Sequence, residues 1–259
     1  MTSALIFMHI PKCGGTTLVS VLKRVVPEGR RFHVGDDIAG SRMVLAALPD
    51  SERLRIDLLY GHLSYGWHEH LLPRQARYFT IVRDPVTRVM SHYNFVRSRK
   101  WHYLHSHVVD AKMTVADYVE SGVTTEVNNG QVRQISGIED IVQAPYGRSE
   151  IGYGDHHGAL LERAWENIER HFLLVGLLER FDESMRRLRR LTGLRFGKYR
   201  AKNVVDPALV RTPTPGEAEV IRRYNREDCE LYGRCKKVFE HAHASPARAR
   251  FWRMLSGRP

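Results

Sequence analysis

The sequence predicts an α/β fold in three layers, a central parallel sheet with helices on both faces, as a single domain over residues 1–245 followed by a basic tail at 246–259. Three passages carry this expectation. Residues 4–18 and 77–95 each run from an apolar stretch through a turn into a helix start, and residues 57–66 hold a short apolar run that ends in Gly61-His62. In the first passage, the uninterrupted run Leu5 to Met8 suits a strand covered on both faces.

The turn after that strand reads Pro11-Lys12-Cys13-Gly14-Gly15-Thr16-Thr17. Paired glycines let backbone amides approach an anion with no Cβ in the way, and Thr16 and Thr17 fall at a helix N-terminus, where unpaired N–H groups and the positive dipole end favour negative charge. The triphosphate-binding loop places Lys-Ser/Thr directly after its second glycine; here Lys12 precedes both glycines. The order Pro-Lys-x-Gly-Gly-Thr-Thr-Leu resembles the 5′-phosphosulfate loop of sulfotransferases that use 3′-phosphoadenosine 5′-phosphosulfate (PAPS). The resemblance implies a P-loop-like fold, no metal, a cofactor cradle of Lys12, Cys13, Gly14, Gly15, Thr16 and Thr17, and Lys12 at the sulfate bridge. Read from the residues alone, a plain Gly-Gly turn with a solvated Lys12 stays open. Cys13, between a lysine and a helix N-terminus, is expected to have a lowered pKa, but no phosphatase-type loop ending in arginine follows. Its expected role is a small filler whose oxidation would block the site.

In the second passage Tyr78 to Val82 is β-branched and aromatic, Asp84 suits an N-cap and Pro85 the first helical position, so Arg83 ends a strand. Ser91 lies about two helical turns beyond the cap and returns to the same face, so Arg83 and Ser91 can reach one anion. Arg-Asp-Pro-x-x-Arg-x-x-Ser resembles the family's site for the 3′-phosphate of PAPS, which implies that role for Arg83 and Ser91. Arg88 and His92 are expected to face solvent or neighbouring helices and receive no role.

Ligands of open α/β sheets collect beyond the carboxyl ends of the strands, so Lys12, His62 and Arg83 are expected to converge on one crevice. The chain has 14 histidines; His68, His70, His102, His105 and His107 lie in helix-like or loop segments without such a context. Gly61-His62-Leu63-Ser64-Tyr65 resembles the Gly-His-x-Ser-Tyr segment of uronyl 2-O-sulfotransferases, and the resemblance implies that His62 is the catalytic base. Sulfuryl transfer moves SO₃ roughly in line from a phosphosulfate to a nucleophile, so a base for the acceptor proton and a cation at the departing phosphate are the groups it needs. The expected reaction takes sulfate from PAPS to a hydroxyl, on a glycan or glycolipid by the uronyl-type context, and leaves adenosine 3′,5′-bisphosphate. Two rivals are a P-loop nucleoside or sugar kinase, which needs Mg²⁺ and lacks its loop here, and a non-catalytic module for anionic polymers.

At 259 residues and 42% hydrophobic content the chain can bury a full α/β core. A net charge of +11 attracts anionic partners; nucleic acid is not the expected one. The tail, with Arg248, Arg250 and Arg253 beside Phe251, Trp252 and Leu255, reads as a basic amphipathic helix touching anionic lipid or polymer, or as a solvated helix packed on the domain. No apolar run approaches the length of a membrane span and no signal peptide precedes the first motif. Eukaryotic enzymes of this resemblance carry a Golgi anchor, so the expectation is a bacterial, cytoplasmic form. Cys13, Cys229 and Cys235 form no disulfide framework, and no paired Cys/His spacing points to zinc.

Elsewhere helices are expected at 42–48, 114–121, 159–171, from near 182, and at 217–225 and 228–241, with a buried strand at 172–178. Residues 97–112, rich in His, Trp and Tyr, are expected to cover the crevice as loop or helix where an acceptor binds. Asn129, Gln131 and Arg133 alternate in a stretch resembling the family's Asn-x-Gln-x-Arg; they either contact cofactor or acceptor or anchor a loop. Glu179 and Phe181 are expected to fix a turn, and the basic loop from Lys202 to close over the cofactor.

Overall fold

The chain runs β1 (Ala4–Met8), α1 (Gly15–Val25), β2 (Arg31–Val34), α2 (Ile38–Ala47), α3 (Asp50–Arg53), β3 (Leu58–Gly61), β4 (Ala76–Val82), α4 (Pro85–Ser98), α5 (His105–Asp110), α6 (Val115–Glu120), α7 (Gly130–Ser136), α8 (Gly158–His171), β5 (Phe172–Leu177), α9 (Phe181–Thr192), α10 (Pro215–Tyr224) and α11 (Arg226–His241). This computed structural model describes residues 3–138, 152–155, 158–202 and 211–241. The tail at 246–259 and most of the glycine-rich stretch at 145–158 lie outside the described residues. No helix among the described residues is long and apolar enough to cross a membrane.

Five parallel strands form one sheet in the order β2-β3-β1-β4-β5. β1 sits at its centre, with Ile6 opposite Leu59 of β3 and Tyr78 of β4. Every residue of β1, β3 and β5 is buried, as near-continuous apolar runs require when both faces are covered by helices. Phe7 and Phe79 stack with ring centroids 5.1 Å apart on the neighbouring strands β1 and β4. Truncating either ring to alanine costs about 3–5 kcal/mol. A second apolar cluster, with Val89, Tyr93, Val108, Tyr118 and Ile221, joins α4, α5, α6 and α10 beside the sheet.

The expected helices and strands are present with shifted ends. α2 starts at Ile38 rather than 42 because Asp37 caps it, accepting from the Gly40 amide at 2.8 Å. α4 runs to Ser98, and a turn leads into α5, so the segment 97–112 is part helix and part loop. β2 has no counterpart among the sequence expectations: it is a four-residue edge strand in which only Val34 is buried, too short and too polar to register as a strand pattern. The alternation of Asn129, Gln131 and Arg133 does not mark extended chain. Residues 130–136 form α7, a helix with every residue buried, which hides the difference between its faces.

Candidate active site

Lys12, His62 and Arg83 follow β1, β3 and β4, the three adjacent central strands, and their carboxyl ends open into one cavity of about 1230 Å³. Lys12, Gly14, Gly15, Thr16, Thr17, His62, Arg83 and Ser91 all line it. Cys13 does not; it is buried behind the loop, where its thiol donates to Gln131 Oε1 at 3.7 Å. The expected lowering of its pKa is reversed. Burial away from water disfavours the thiolate more than the nearby arginines help it, and pushes the thiol up to about 12.

The loop after β1 is built for close approach. Lys12 and Gly14 both take the left-handed backbone conformation, at φ 66° and 77°. A Cβ on Gly14 would meet Leu178 at 2.7 Å, and one on Gly15 would lie 1.8 Å from the His9 ring. α1 opens with no side-chain cap and no acidic residue in its first turn, leaving its N–H groups and positive end toward the cavity. Thr17 Oγ1 accepts from the amide of Lys202 at 2.9 Å, and Lys202 lines the cavity; residues 203–210 of the basic loop expected to close over the cofactor lie outside the described residues.

The Lys12 ammonium lies 3.8 Å over the Phe95 ring of α4. Burial lowers its pKa to about 8; Glu126 opposes that shift while Arg83 and Arg99 add to it. Arg83 Nη1 donates to the Lys12 carbonyl at 3.2 Å, and Arg83 Nε to Thr87 Oγ1 at 3.1 Å. Gln131 of α7 clamps the peptide groups of Arg83, accepting from its N–H at 2.9 Å and donating to its C=O at 3.0 Å. Gln131 and Arg133 are fully buried and line no part of the cavity. They anchor the wall that aims Arg83, and contact with cofactor or acceptor is not their part.

Behind that wall lies a buried polar network. Asp228 of α11 accepts from the Gln131 and Val132 amides at 3.1 and 2.8 Å, capping α7, and pairs with Arg88 at 3.4 Å. Asn225 accepts from the Asn129 amide at 3.0 Å and donates to the carbonyl of Val127 at 2.8 Å. Of the two surroundings expected for Arg88 and His92, neighbouring helices hold and solvent does not: both are buried, Arg88 against α11 and His92 against α6, and His92 also lines the cavity. Glu179 fixes its turn as expected, accepting from the Asp84 amide at 2.9 Å and the Tyr232 hydroxyl at 3.1 Å.

His62 Nδ1 is 2.8 Å from the carbonyl oxygen of His9. A carbonyl only accepts, so Nδ1 carries the proton and Nε2 of the neutral ring has the free lone pair. The His9 and His62 rings stack at 4.1 Å. Burial, with further contributions from His62 and Lys12, holds His9 well below its ordinary pKa and therefore neutral.

Sequence reasoning passed over a second group. Glu126, in the turn before α7, lines the cavity, and its Oε2 lies 2.8 Å from His92 Nε2, whose Nδ1 meets the Tyr118 hydroxyl at 3.1 Å. Burial alone would raise the Glu126 carboxyl, but the adjacent His92, with His62 and Arg88, holds it down at about 2. Nothing in the local sequence marks Glu126 or His9. Their places follow from helix packing and from the β1–β3 register.

The loop has the features of an anion site: a Cβ on either glycine would meet a neighbouring side chain, α1 opens without a side-chain cap, and Lys12 and Arg83 face the same cavity. The profile of the sulfotransferase family matches residues 2–233. The chain is 24% identical over 250 residues to galactose-3-O-sulfotransferase 2 of Sus scrofa, covering 90% of this chain and 60% of that protein. It is 23% identical over 257 residues to human uronyl 2-sulfotransferase, covering 92% and 62%. The chain thus spans about three fifths of the length of these relatives. A mouse sulfotransferase, SULT7A1, solved with PAP, superposes loosely at a TM-score of 0.42 and 16% identity, covering 100% of this chain and 90% of that one. With the family profile spanning nearly all of its length, this chain belongs to the sulfotransferase family.

Proposed function

We propose that this chain transfers a sulfuryl group from PAPS to a hydroxyl of a carbohydrate acceptor. The single observation that carries the reading is the junction of two cationic loops in one cavity, with the Arg83 guanidinium on the Lys12 carbonyl and His62 across the same space. The similarity to galactose-3-O- and uronyl 2-sulfotransferases supports a sugar hydroxyl as acceptor.

PAPS, when bound, supplies the activated sulfuryl group. The chain's residues do the rest. The amides at the start of α1, with the hydroxyls of Thr16 and Thr17, bind the 5′-phosphate end, and Arg83 with Ser91 holds the 3′-phosphate. Lys12 offsets negative charge growing on the bridging oxygen, a contribution on the order of 3–4 kcal/mol for one well-placed donor. His62 accepts the acceptor's hydroxyl proton at Nε2, while the His9 carbonyl keeps the ring oriented. The imidazolium so formed is stabilised by Glu126, within electrostatic reach. Cys13, with its thiol pushed up to about 12 and turned from the cavity, takes no part as a nucleophile.

Calorimetry with adenosine 3′,5′-bisphosphate and with ATP plus Mg²⁺ tests the reading. A clear preference for the bisphosphate, followed by ³⁵S transfer from labelled PAPS to a glycan, supports it. Tighter binding of Mg²⁺-ATP would replace it with a kinase.

A further inference from the structure

The acceptor side of the cavity has a chemistry of its own. Glu126 places one carboxylate there, locked on Oε2 by His92 and, behind it, by the buried Tyr118, so the group cannot swing away. Around it stand Trp101, His102 and Tyr103, all lining the same cavity. Trp101 and Tyr103 are 74% and 55% exposed at a cavity mouth; one face of Tyr103 stacks on His102 at 4.7 Å, and its other face and the Trp101 ring are left to solvent. Burial keeps His102 below its ordinary pKa and so uncharged. Of the cations that line the cavity, Lys12 lies over Phe95, Arg83 donates to the Lys12 carbonyl and Thr87, and Arg211 pairs with Glu217, while Lys202 stands at the α1 cradle, where its amide meets Thr17. Arg99 sits 5.8 Å from Phe95 and does not line the cavity.

An ionised carboxylate only accepts hydrogen bonds, so Glu126 Oε1 favours hydroxyl donors and repels a second carboxylate. In a partly dry cavity that repulsion is screened far less than at a surface. Exposed aromatic faces suit the apolar C–H face of a sugar ring, with its hydroxyls at the rim. We infer that the acceptor subsite formed by Glu126, Trp101 and Tyr103 selects a neutral hexose and discriminates against carboxylate-bearing uronic acids. Glu126 acts here as a specificity-determining residue. This inference rests on the sulfuryl-transfer reading and extends it to the substrate class.

The test uses two glycosides that differ only at C6, p-nitrophenyl β-galactopyranoside and p-nitrophenyl β-galactopyranosiduronic acid. Each is titrated into the wild-type enzyme saturated with adenosine 3′,5′-bisphosphate, and each is offered as acceptor with PAPS. The expected result is a preference of at least about tenfold for the neutral glycoside, equivalent to about 1.4 kcal/mol, which narrows as salt is raised. In Glu126→Gln turnover falls with both acceptors, because the His62 imidazolium loses its carboxylate, but the affinity ratio of the two glycosides in the titration falls to roughly twofold, a change that a merely structural role would not produce. The wild-type comparison and its salt dependence stand even where Glu126→Gln fails to fold. Equal or better use of the uronoside, binding of neither glycoside, or an unchanged ratio in a folded Glu126→Gln overturns the acceptor assignment while the cofactor reading stands. Failure of the bisphosphate to bind at all overturns the sulfuryl-transfer reading beneath it.

Discussion

The Arg83 guanidinium donates to the main-chain carbonyl of Lys12 at 3.2 Å, so the loops after β4 and β1 are bonded to each other through the residues that would grip the two ends of the cofactor. Gln131 holds the peptide groups of Arg83 from behind. Arg83→Ala therefore removes both a phosphate contact and a loop tie. Hydrogen bonds to charged groups are worth about 1.5–3 kcal/mol, and calorimetry should show at least about a tenfold loss of bisphosphate affinity. Arg83→Lys should recover only part of it, since an ammonium lacks the guanidinium fork. Affinity equal to wild type in Arg83→Ala would remove Arg83 from the binding site.

Lys12 gives the site a pH dependence. Its folded-state pKa is lowered by burial to about 8, and the charged form is the one that binds an anion. Charge is thus present below that value and lost as pH rises through it. Bisphosphate affinity should decline between about pH 7.5 and 9, and binding near pH 8 should take up protons, seen as a buffer-dependent calorimetric enthalpy. Lys12→Ala should bind weakly at every pH with this decline gone.

His62 acts on the acceptor rather than on the nucleotide. His62→Ala should lower kcat by about 10²–10⁴ and leave bisphosphate affinity unchanged by calorimetry. Unaltered turnover in that variant would take His62 out of the mechanism.

Cys13 is buried with its thiol pushed up to about 12. Iodoacetamide at neutral pH should label the half-buried Cys229 before Cys13 by mass spectrometry, and Cys13→Ala should retain sulfuryl transfer. Rapid labelling of Cys13 in the folded protein would contradict the burial.

Asp228 carries the wall behind Arg83 by capping α7 and neutralising Arg88. Asp228→Ala leaves the buried Arg88 guanidinium with the Glu126 carbonyl but without its countercharge, and two amides without their acceptor, and should cost about 3–5 kcal/mol in urea unfolding. A loss under about 1 kcal/mol would mean that water replaces the carboxylate.

The sequence by itself determined the parts whose physics is local. Unbroken apolar runs at 5–8 and 172–178 required covered strands, and the glycine pair and Asp84-Pro85 required a turn and a helix start; strand ends and the family resemblance then pointed to Lys12, His62, Arg83 and Ser91. Only the tertiary structure decided what depends on residues distant in the chain. It turned Gln131 and Arg133 from possible ligand contacts into supports, raised the Cys13 thiol where neighbouring charges alone would lower it, brought the His9 carbonyl to His62, and set Glu126 beside His92. Strand runs and helix starts come from backbone and solvent preferences of adjacent residues. Burial, pKa and the aim of a side chain come from neighbours a hundred or more residues away, such as Cys13 and Gln131, 118 apart, or Arg88 and Asp228, 140 apart, and those meet only when the sheet order and helix packing close.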